Sequence, residues 1–262
     1  MNLEESLKFA EEFAYKEGDR VLSEWSNVSI SKTKEDGADL ATNFDRELEK
    51  KFYEMVREAY PGTGFYGEEF PELIKEAEYV WTVDPIDGSK PFAAGVPMWC
   101  TTISLLKNGS PVLGLVYNPV SRQMYKAIKG NGSYLNGKRL SVKVTGANHT
   151  LQVASDQSMS FSQLSEIGKD IYIRDKFKQI QDNFYRQRIL GTGTLSVAWV
   201  AQGYFSGYFD PYRPDAKMID IYAPMLIAEE AGAKVHVAEV DKGYYAVVIA
   251  SPSVFDDLVE LL

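Results

Sequence analysis

The sequence predicts a layered α/β fold made of two halves. Strand patterns followed by mixed helices and strands occur twice along the 262 residues, as expected when sheets are covered by helices. Hydrophobic residues make up 45% of the chain, which suffices for a sizeable buried core. We expect an N-terminal half over residues 1–145 and a C-terminal half over residues 146–262.

Two amphipathic helices open the first half. Apolar residues recur at helical spacing over residues 3–24 and again from Phe44 to Ala59. Pro61 and Gly62 follow the second pattern and predict the end of that helix.

Strands follow these helices. A hairpin is predicted where Asn108-Gly109, a dipeptide that suits a type I′ turn, separates two strand patterns. A second Asn-Gly pair, at 136–137, joins two further patterns. The strands predicted in this half run over Tyr79–Val83, Thr101–Lys107, Val112–Tyr117, Met124–Ile128 and Leu140–Val144.

The second half mixes helices and strands. Thr194 ends a glycine-containing turn before an apolar helix, where it fits either a helix N-cap or a close approach of the backbone to a ligand. In order, we predict a strand near Leu151, helices over 194–203 and 219–231, strands over 233–237 and 245–250, and a terminal helix from Pro252.

Charge and composition disfavour several classes of partner. The formal net charge is -9, which argues against binding to nucleic acid or to an anionic membrane. Cys100 is the only cysteine, so no intrachain disulfide can form, as suits a reducing compartment. The N-terminus lacks the regions of a signal peptide, and no apolar run reaches the ~20 residues of a membrane span. We therefore expect a cytoplasmic protein.

Two glycine motifs resemble nucleotide-binding loops but lack the required context. Residues 62–67 match GxGxxG, yet a helix precedes them and two glutamates follow, which would repel a pyrophosphate. We expect these glycines to let a loop deliver Glu68 to a specific place. The tripeptide at 88–90 resembles the tail of a P-loop, but Val83 stands where the first glycine should be.

Histidine-based and zinc-based chemistry are also disfavoured. The two histidines, His149 and His236, show no sign of converging, and His236 lies within a strand pattern. Two histidines and one cysteine cannot make the usual zinc ligand sets. Carboxylates are the candidates that remain.

Acids at the ends of predicted elements are the main functional signal. Each one could be an ordinary surface acid or, at a helix start, a favourable partner of the helix dipole. Together they offer the hard oxygen ligands that Mg²⁺ prefers. The acids are Asp39, Asp45, Glu68, Asp84, Asp87 and Asp220.

The segment around Asp84 and Asp87 combines two kinds of site. Pro85 fixes a turn, so both acids can point into one space, where a divalent ion removes their repulsion. Gly88 allows a ligand to approach the backbone, and Ser89 begins a short helix whose amides can bind a phosphate. Cations beside an anion site predict metal-assisted hydrolysis of a phosphate ester.

Four motifs occur in a recognisable order along nearly the whole chain: DLATNFD (39–45), GEE (67–69), DPIDGSKPF (84–92) and IDIYAP (219–224). Their order and spacing resemble the inositol monophosphatase family of Mg²⁺-dependent, lithium-sensitive phosphatases. The last motif departs from the family, which usually has Trp where this chain has Ile219. The resemblance implies alternating helix and sheet layers, an αβαβα sandwich of the sugar-phosphatase type. It also implies two to three Mg²⁺ ions per active site and a homodimer.

The resemblance implies a role for each matching residue. Glu68, Asp84 and the carbonyl of Ile86 would bind one cation, while Asp84, Asp87 and Asp220 would bind another. Ser89, at a position where the family usually has threonine, would act with Asp45 and Glu68 to orient and deprotonate the attacking water. The residues implied at the substrate are Gly88, Ser89, Gly191, Thr192 and Asp210, with Lys34 and Asp39 as further candidates near the site.

The sequence leaves several small phosphorylated metabolites open as substrates. Family members cleave inositol monophosphates, histidinol phosphate, fructose 1,6-bisphosphate or the 3′-phosphate of adenosine bisphosphates. Asp210 favours a polyol phosphate such as inositol 1-phosphate, whereas KPFAAGVPMW (90–99) resembles the histidinol-phosphatase branch. The segment 212–218 is slightly longer than we expect from the family. A phosphate-binding scaffold without activity and a dinucleotide-dependent oxidoreductase are the alternatives from other classes.

Overall fold

A computed structural model of the chain describes residues 1–25, 30–33, 40–69, 77–142, 150–157 and 159–262. Its first part contains two long helices and the strands of the larger sheet. In chain order the elements are α1 (Leu3–Glu24), β1 (Ile30–Thr33), β2 (Leu40–Thr42), α2 (Asn43–Ala59), β3 (Gly64–Gly67), β4 (Tyr79–Asp87), α3 (Ser89–Ala93), β5 (Cys100–Lys107), β6 (Ser110–Asn118), β7 (Gln123–Ile128), β8 (Ser133–Leu135) and β9 (Lys138–Arg139).

The second part contains the smaller sheet and the remaining described helices. In chain order its elements are β10 (Gln152–Ser155), α4 (Phe161–Glu166), α5 (Asp170–Asn183), β11 (Arg186–Ile189), α6 (Gly193–Gln202), β12 (Gly207–Pro214), a 3₁₀ turn (Asp215–Met218), α7 (Ile219–Glu230), β13 (Lys234–Asp241), β14 (Tyr244–Ala250) and α8 (Phe255–Val259).

The strands that the structure describes form two large sheets and one isolated pair. The larger sheet has the order β3-β4-β5-β6-β7-β8-β9 and is antiparallel apart from the pairing of β3 with β4. The smaller sheet has the order β11-β10-β12-β14-β13, in which β10 runs parallel to both of its neighbours and the other pairs are antiparallel. The two strands β1 and β2 pair with each other.

Helices and sheets alternate in five layers. Helices α1 and α2 pack on the outer face of the larger sheet, where Phe13 and Phe52 share a core with Trp81. Helices α6 and α7 lie between the sheets, and their core joins Val116 of the larger sheet to Val247 of the smaller one. The outer face of the smaller sheet is covered by α5 and α8. This αβαβα order confirms the predicted fold class.

Most predicted elements of the first half are present. The first helix has the predicted bounds, and both residues of the Asn108-Gly109 turn have positive φ, 49° and 79°, as a type I′ turn requires. The strand predicted over Leu140–Val144 is wrong in its described part. The turn at Asn136 pairs Leu135 with Lys138, so the strand after that turn is Lys138–Arg139 and residues 140–142 carry no strand.

Several elements of the second half were missed. Helices α4 and α5 and strands β11 and β12 have no counterpart in the prediction, although apolar residues recur at helical spacing at Ile173, Phe177 and Ile180 in α5. The predicted division near residue 145 lies outside the described residues and stays a prediction. Among the helices that the structure describes, none is long and apolar enough to cross a membrane.

Candidate metal centre

A bulge in β4 brings Asp84 and Asp87 to one side of the larger sheet. Residues three apart on a regular strand face opposite sides. Here Asp84 pairs with Thr102 and Asp87 pairs with Cys100, so the strand gains one residue between the two acids and their side chains face the same way. Pro85, which has no N–H to donate, occupies the bulge. The strand therefore continues to Asp87, whereas the sequence predicted a strand that ends where Asp84 begins the turn.

Two further acids approach Asp84 from neighbouring elements. Strand β3 runs parallel to β4, with Gly67 opposite Val83, so Glu68 leaves the sheet at the level of Asp84. Asp220 lies in the first turn of α7. One carboxylate oxygen from each of Glu68, Asp84 and Asp220 lies within 4.8 Å of the other two. The structure thus converges acids that are distant in the sequence, as the metal hypothesis requires.

Burial and mutual repulsion make this cluster unfavourable without a cation. Burial, followed by the charges of Glu68 and Asp220, raises the pKa of Asp84 well above its ordinary value. Burial also raises the pKa of Asp220 well above its ordinary value, although Lys217 opposes the shift. Among the described residues, no hydrogen-bond donor reaches Oδ1 of Asp220. An oxygen without a donor in a set of hard oxygen ligands fits a divalent cation.

Asp87 lies beside the cluster and is held by the second half of the chain. Its Oδ2 accepts a hydrogen bond from the hydroxyl of Thr192 and lies 3.8 Å from the sulfur of Cys100. Burial raises the pKa of Asp87 from 3.8 to about 6, with the Thr192 hydrogen bond acting in the opposite direction. Thr192 is buried and contacts this acid of the site. The role at the substrate that the resemblance implies for Thr192 stays a prediction.

The cluster opens into a cavity of about 310 Å³. The predicted residues Asp87, Gly88, Ser89 and Gly191 line this cavity together with the three acids of the cluster. Gly88 has a φ of 89°, and a Cβ at this position would lie 2.7 Å from the carbonyl oxygen of Met98. Only glycine therefore fits this turn without strain.

The other predicted residues lie behind the cavity or outside the described part of the chain. Ile86 is buried, and its N–H donates to Oδ1 of Asp84; the predicted role of its carbonyl stays a prediction. Asp45 is buried on α2. Its charge also raises the pKa of Asp84, by less than burial and the other acids do. Lys34 and Asp39 lie outside the described residues.

Asp210 is held within the smaller sheet by Arg213. The strand β12 repeats the device of β4: an Asp-Pro pair, a bulge between Asp210 and Arg213, and an N–H two residues on, from Tyr212, that donates to the aspartate. Asp210 is buried and its Oδ2 accepts from Nε of Arg213 at 2.9 Å. Asp210 is not among the residues that line the cavity, and its contact with substrate hydroxyls stays a prediction. Arg213 lines the cavity instead.

Arg213 is the main residue that the sequence analysis missed. All five of its N–H groups have acceptors, so this guanidinium holds other residues and has no donor left for a ligand. Its signal in the sequence was the second Asp-Pro pair, which resembles the one before Asp87. The acceptors are Oδ2 of Asp210, the carbonyl of Lys217, Oδ2 of Asp220, Oδ2 of Asp156 and the hydroxyl of Tyr208.

Lys217 places a positively charged side chain in the same cavity. Its Nζ lies 2.9 Å from Oε1 of Glu68, and it belongs to the segment 212–218 whose extra length stood out in the sequence. The far wall of the cavity is polar and comes from the end of β10 and the start of α4. It comprises Asp156, Gln157, Ser160 and Gln163, with Met159 among them.

A proline in α7 explains how Asp220 is fixed. Pro224 has no N–H, so the carbonyl of Asp220, four residues earlier, lacks its usual helical partner. The hydroxyl of Thr194 donates to that carbonyl at 2.7 Å. The N-cap of α6 is Thr192, so of the two uses considered for Thr194, the N-cap is wrong. Thr194 instead ties α6 to the first turn of α7.

Residues 2–254 match the family described as the inositol monophosphatase family. The chain belongs to this family. The family is metal-dependent, and most of its named members among the relatives are phosphatases, which confirms the prediction of a phosphoric monoester hydrolase.

Individual relatives carry different substrate names. A fructose-1,6-bisphosphatase of Pyrococcus furiosus is 33% identical over 172 residues, which are 66% of this chain but only 61% of that protein. A histidinol-phosphatase of Mycobacterium tuberculosis is 33% identical over 199 residues, 74% of this chain and 72% of that protein. A solved structure of an IMPase from Thermotoga maritima has a TM-score of 0.83 at 24% identity and covers 98% of this chain and 96% of that one. The family is therefore established, and its named members differ in substrate.

Proposed function

We propose that the protein is a Mg²⁺-dependent phosphomonoesterase that hydrolyses a small polyol or sugar phosphate, such as inositol 1-phosphate, without a covalent intermediate. The observation that carries the proposal is the cluster of Glu68, Asp84 and Asp220, whose carboxylate oxygens lie within 4.8 Å of one another at the cavity that Gly88 and Ser89 also line. Divalent cations held there would lower the pKa of a bound water and offset the negative charge of the phosphate.

The side chains around the cluster divide the remaining work. Glu68, Asp84, Asp87 and Asp220 would hold the cations, and the carbonyl of Ile86 would complete their set. Ser89, at the cavity wall, would orient the attacking water together with Glu68. Asp45 is buried on α2 near Asp84 and would accept a proton from Ser89 in this scheme.

The cavity fits a compact, hydroxyl-rich substrate. Its volume of about 310 Å³ is at the small end of ligand pockets. Its far wall offers amide and hydroxyl groups from Gln157, Ser160 and Gln163 and the carboxylate of Asp156, which can bind the hydroxyls of a polyol. A small phosphorylated metabolite is thus the proposed partner. Cytoplasmic location and a homodimer stay predictions.

Histidinol phosphate is the second candidate because of one acid. Asp156 lines the cavity with a side chain that is 18% exposed, and a carboxylate there can pair with the ammonium group of an amino alcohol phosphate. The segment KPFAAGVPMW agrees with this candidate. Fructose 1,6-bisphosphate and adenosine 3′,5′-bisphosphate are weaker candidates that rest on the family alone.

A panel of phosphate esters tests the proposal. Phosphate release is measured with Mg²⁺ and with EDTA for inositol 1-phosphate, histidinol phosphate, fructose 1,6-bisphosphate and adenosine 3′,5′-bisphosphate. We expect Mg²⁺-dependent release with the highest kcat/KM for inositol 1-phosphate. Asp156→Asn should lower kcat/KM for histidinol phosphate more than for inositol 1-phosphate, since only the former carries a cation. A protein that binds these esters in Mg²⁺ without releasing phosphate would be a scaffold, and the proposal would be wrong.

A further inference from the structure

Glu49 is a buried acid that the proposed chemistry does not use. It lies on α2 with none of its surface exposed, and it is not among the residues that line the cavity. A carboxylate removed from water is costly unless its partners compensate. Its contacts show what it does in this position.

Glu49 contacts the backbone on both sides of Glu68. Its Oε2 accepts a hydrogen bond from the N–H of Glu69 at 2.8 Å. On the other side, a Cβ added at Gly67 would overlap with the carboxyl group of Glu49, so the strand packs directly on this acid. The glycine at the end of β3 therefore allows the strand and the carboxyl group of Glu49 to be in contact. The sequence analysis instead ascribed the glycines of this segment to delivery of Glu68 by a loop.

Helix α2 fixes the same turn at a second point. Nε of Arg46 lies 3.6 Å from Oε2 of Glu69, which joins the exposed side chain of Arg46 to the buried carboxylate of Glu69. Asp45 and Glu49 are four residues apart, so they share one face of α2. That face therefore carries both Asp45, whose charge reaches Asp84, and Glu49, which holds the turn of Glu68.

A held backbone matters because the acids of the cluster repel one another. The carboxylate of Glu68 lies with those of Asp84 and Asp220 within 4.8 Å, and repulsion favours a turn that swings Glu68 away before any cation binds. We propose that Glu49 is a positioning residue that preorganises Glu68 for metal binding by holding Gly67 and Glu69 on either side of it. This inference rests on the proposed function, since it takes Glu68 as a metal ligand.

The test measures metal affinity rather than activity. Mg²⁺ is titrated into the EDTA-treated, dialysed protein by calorimetry, and Mn²⁺ binding is followed in parallel by electron paramagnetic resonance. We expect Glu49→Ala to weaken the binding of both cations about 10- to 100-fold, as other residues that orient metal ligands do. Glu49→Gln keeps an acceptor oxygen for the N–H of Glu69 and should bind close to wild type. Glu54→Ala, at an exposed position of the same helix, is the matched control and should bind as wild type does.

A second substitution approaches the same contact from the strand. Gly67→Ala should weaken cation binding because its Cβ displaces the turn from Glu49. The same change in the Glu49→Ala background should cost little more, because the group that it overlaps has been removed. If Glu49→Ala does not fold, Gly67→Ala and Glu49→Gln decide the question by themselves.

The outcomes separate this inference from the proposed function. Thermal unfolding without metal shows how much of each variant is folded. If folded Glu49→Ala or Gly67→Ala protein binds Mg²⁺ with the wild-type dissociation constant, Glu49 has only a structural role and the inference is wrong. If the wild-type protein itself binds no divalent cation, the proposed function fails, and the inference fails with it.

Discussion

Asp87→Asn should make the metal-free protein more stable while it removes the activity. Burial raises the pKa of Asp87 from 3.8 to about 6. The folded pKa lies above the unfolded one, so the stability that this carboxyl contributes is present below about pH 4 and is lost as the pH rises through about 6. A difference of about two pKa units, at about 1.4 kcal/mol each, makes the ionised group cost roughly 3 kcal/mol at pH 8.

Asparagine avoids this cost and keeps the local hydrogen bond. Its side-chain oxygen can still accept from the hydroxyl of Thr192. We therefore expect the free energies of unfolding of the wild-type and variant proteins to be similar near pH 4 and to differ by up to about 3 kcal/mol near pH 8, in favour of the variant. For a chain of this size that corresponds to roughly 6–12 °C in Tm.

Urea unfolding of EDTA-treated protein across this pH range is the appropriate assay, with phosphate release in Mg²⁺ measured on the same samples. Asp182→Asn, at an exposed acid on α5 that pairs with Lys178, is the control and should follow the wild-type pH profile. Added Mg²⁺ should stabilise the wild type more than the Asp87 variant. Parallel pH profiles for the wild-type and Asp87→Asn proteins, or full Mg²⁺-dependent activity in the variant, would refute the reasoning.

Three other expectations concern the backbone of the site and the cation. Thr194→Val should lower the free energy of unfolding by about 1–3 kcal/mol, because a buried carbonyl of Asp220 loses its donor; Pro224→Ala should restore part of this loss in urea unfolding by supplying an N–H. Gly88→Ala should cost about 1–3 kcal/mol of strain and most of kcat/KM, whereas Gly109→Ala, also at positive φ but with open space around it, should cost the strain alone and leave kcat/KM unchanged. Mg²⁺ should raise Tm more at pH 8 than at about pH 5, since the carboxylates must lose their protons to bind it; an equal rise at both values would contradict the assignment of buried acids as ligands.

The acids of the cluster could be predicted because their local signals are strong. Pro85 between two acids, and a glycine directly after Asp87, mark a special turn at the end of an apolar strand. Hairpin turns and long helices were predicted for similar reasons, since Asn-Gly pairs and helical periodicity are local properties of the chain. The family resemblance then placed Glu68 and Asp220 beside them.

The partners of these acids could not be predicted in the same way. Whether Asp210 or Arg213 faces the cavity depends on a bulge in β12, and the bulge depends on pairing with a strand far along the chain. Thr192 likewise takes its role from Asp87 and Thr194 from α7. These partners are brought close only by the packing of the two sheets. Burial decides these roles, and no single stretch of residues carries that information.

The enclosure of α7 between the two sheets has a consequence for the maturation of the protein. The core around this helix includes Val116 from one sheet and Val247 from the other, so the position of Asp220 depends on the packing of both sheets. A nascent chain of which only the first half has been synthesised carries Glu68, Asp84 and Asp87 but still lacks Asp220. If the four acids bind cations as proposed, a partly made chain would lack one of these ligands, and tight cation binding would require the complete fold.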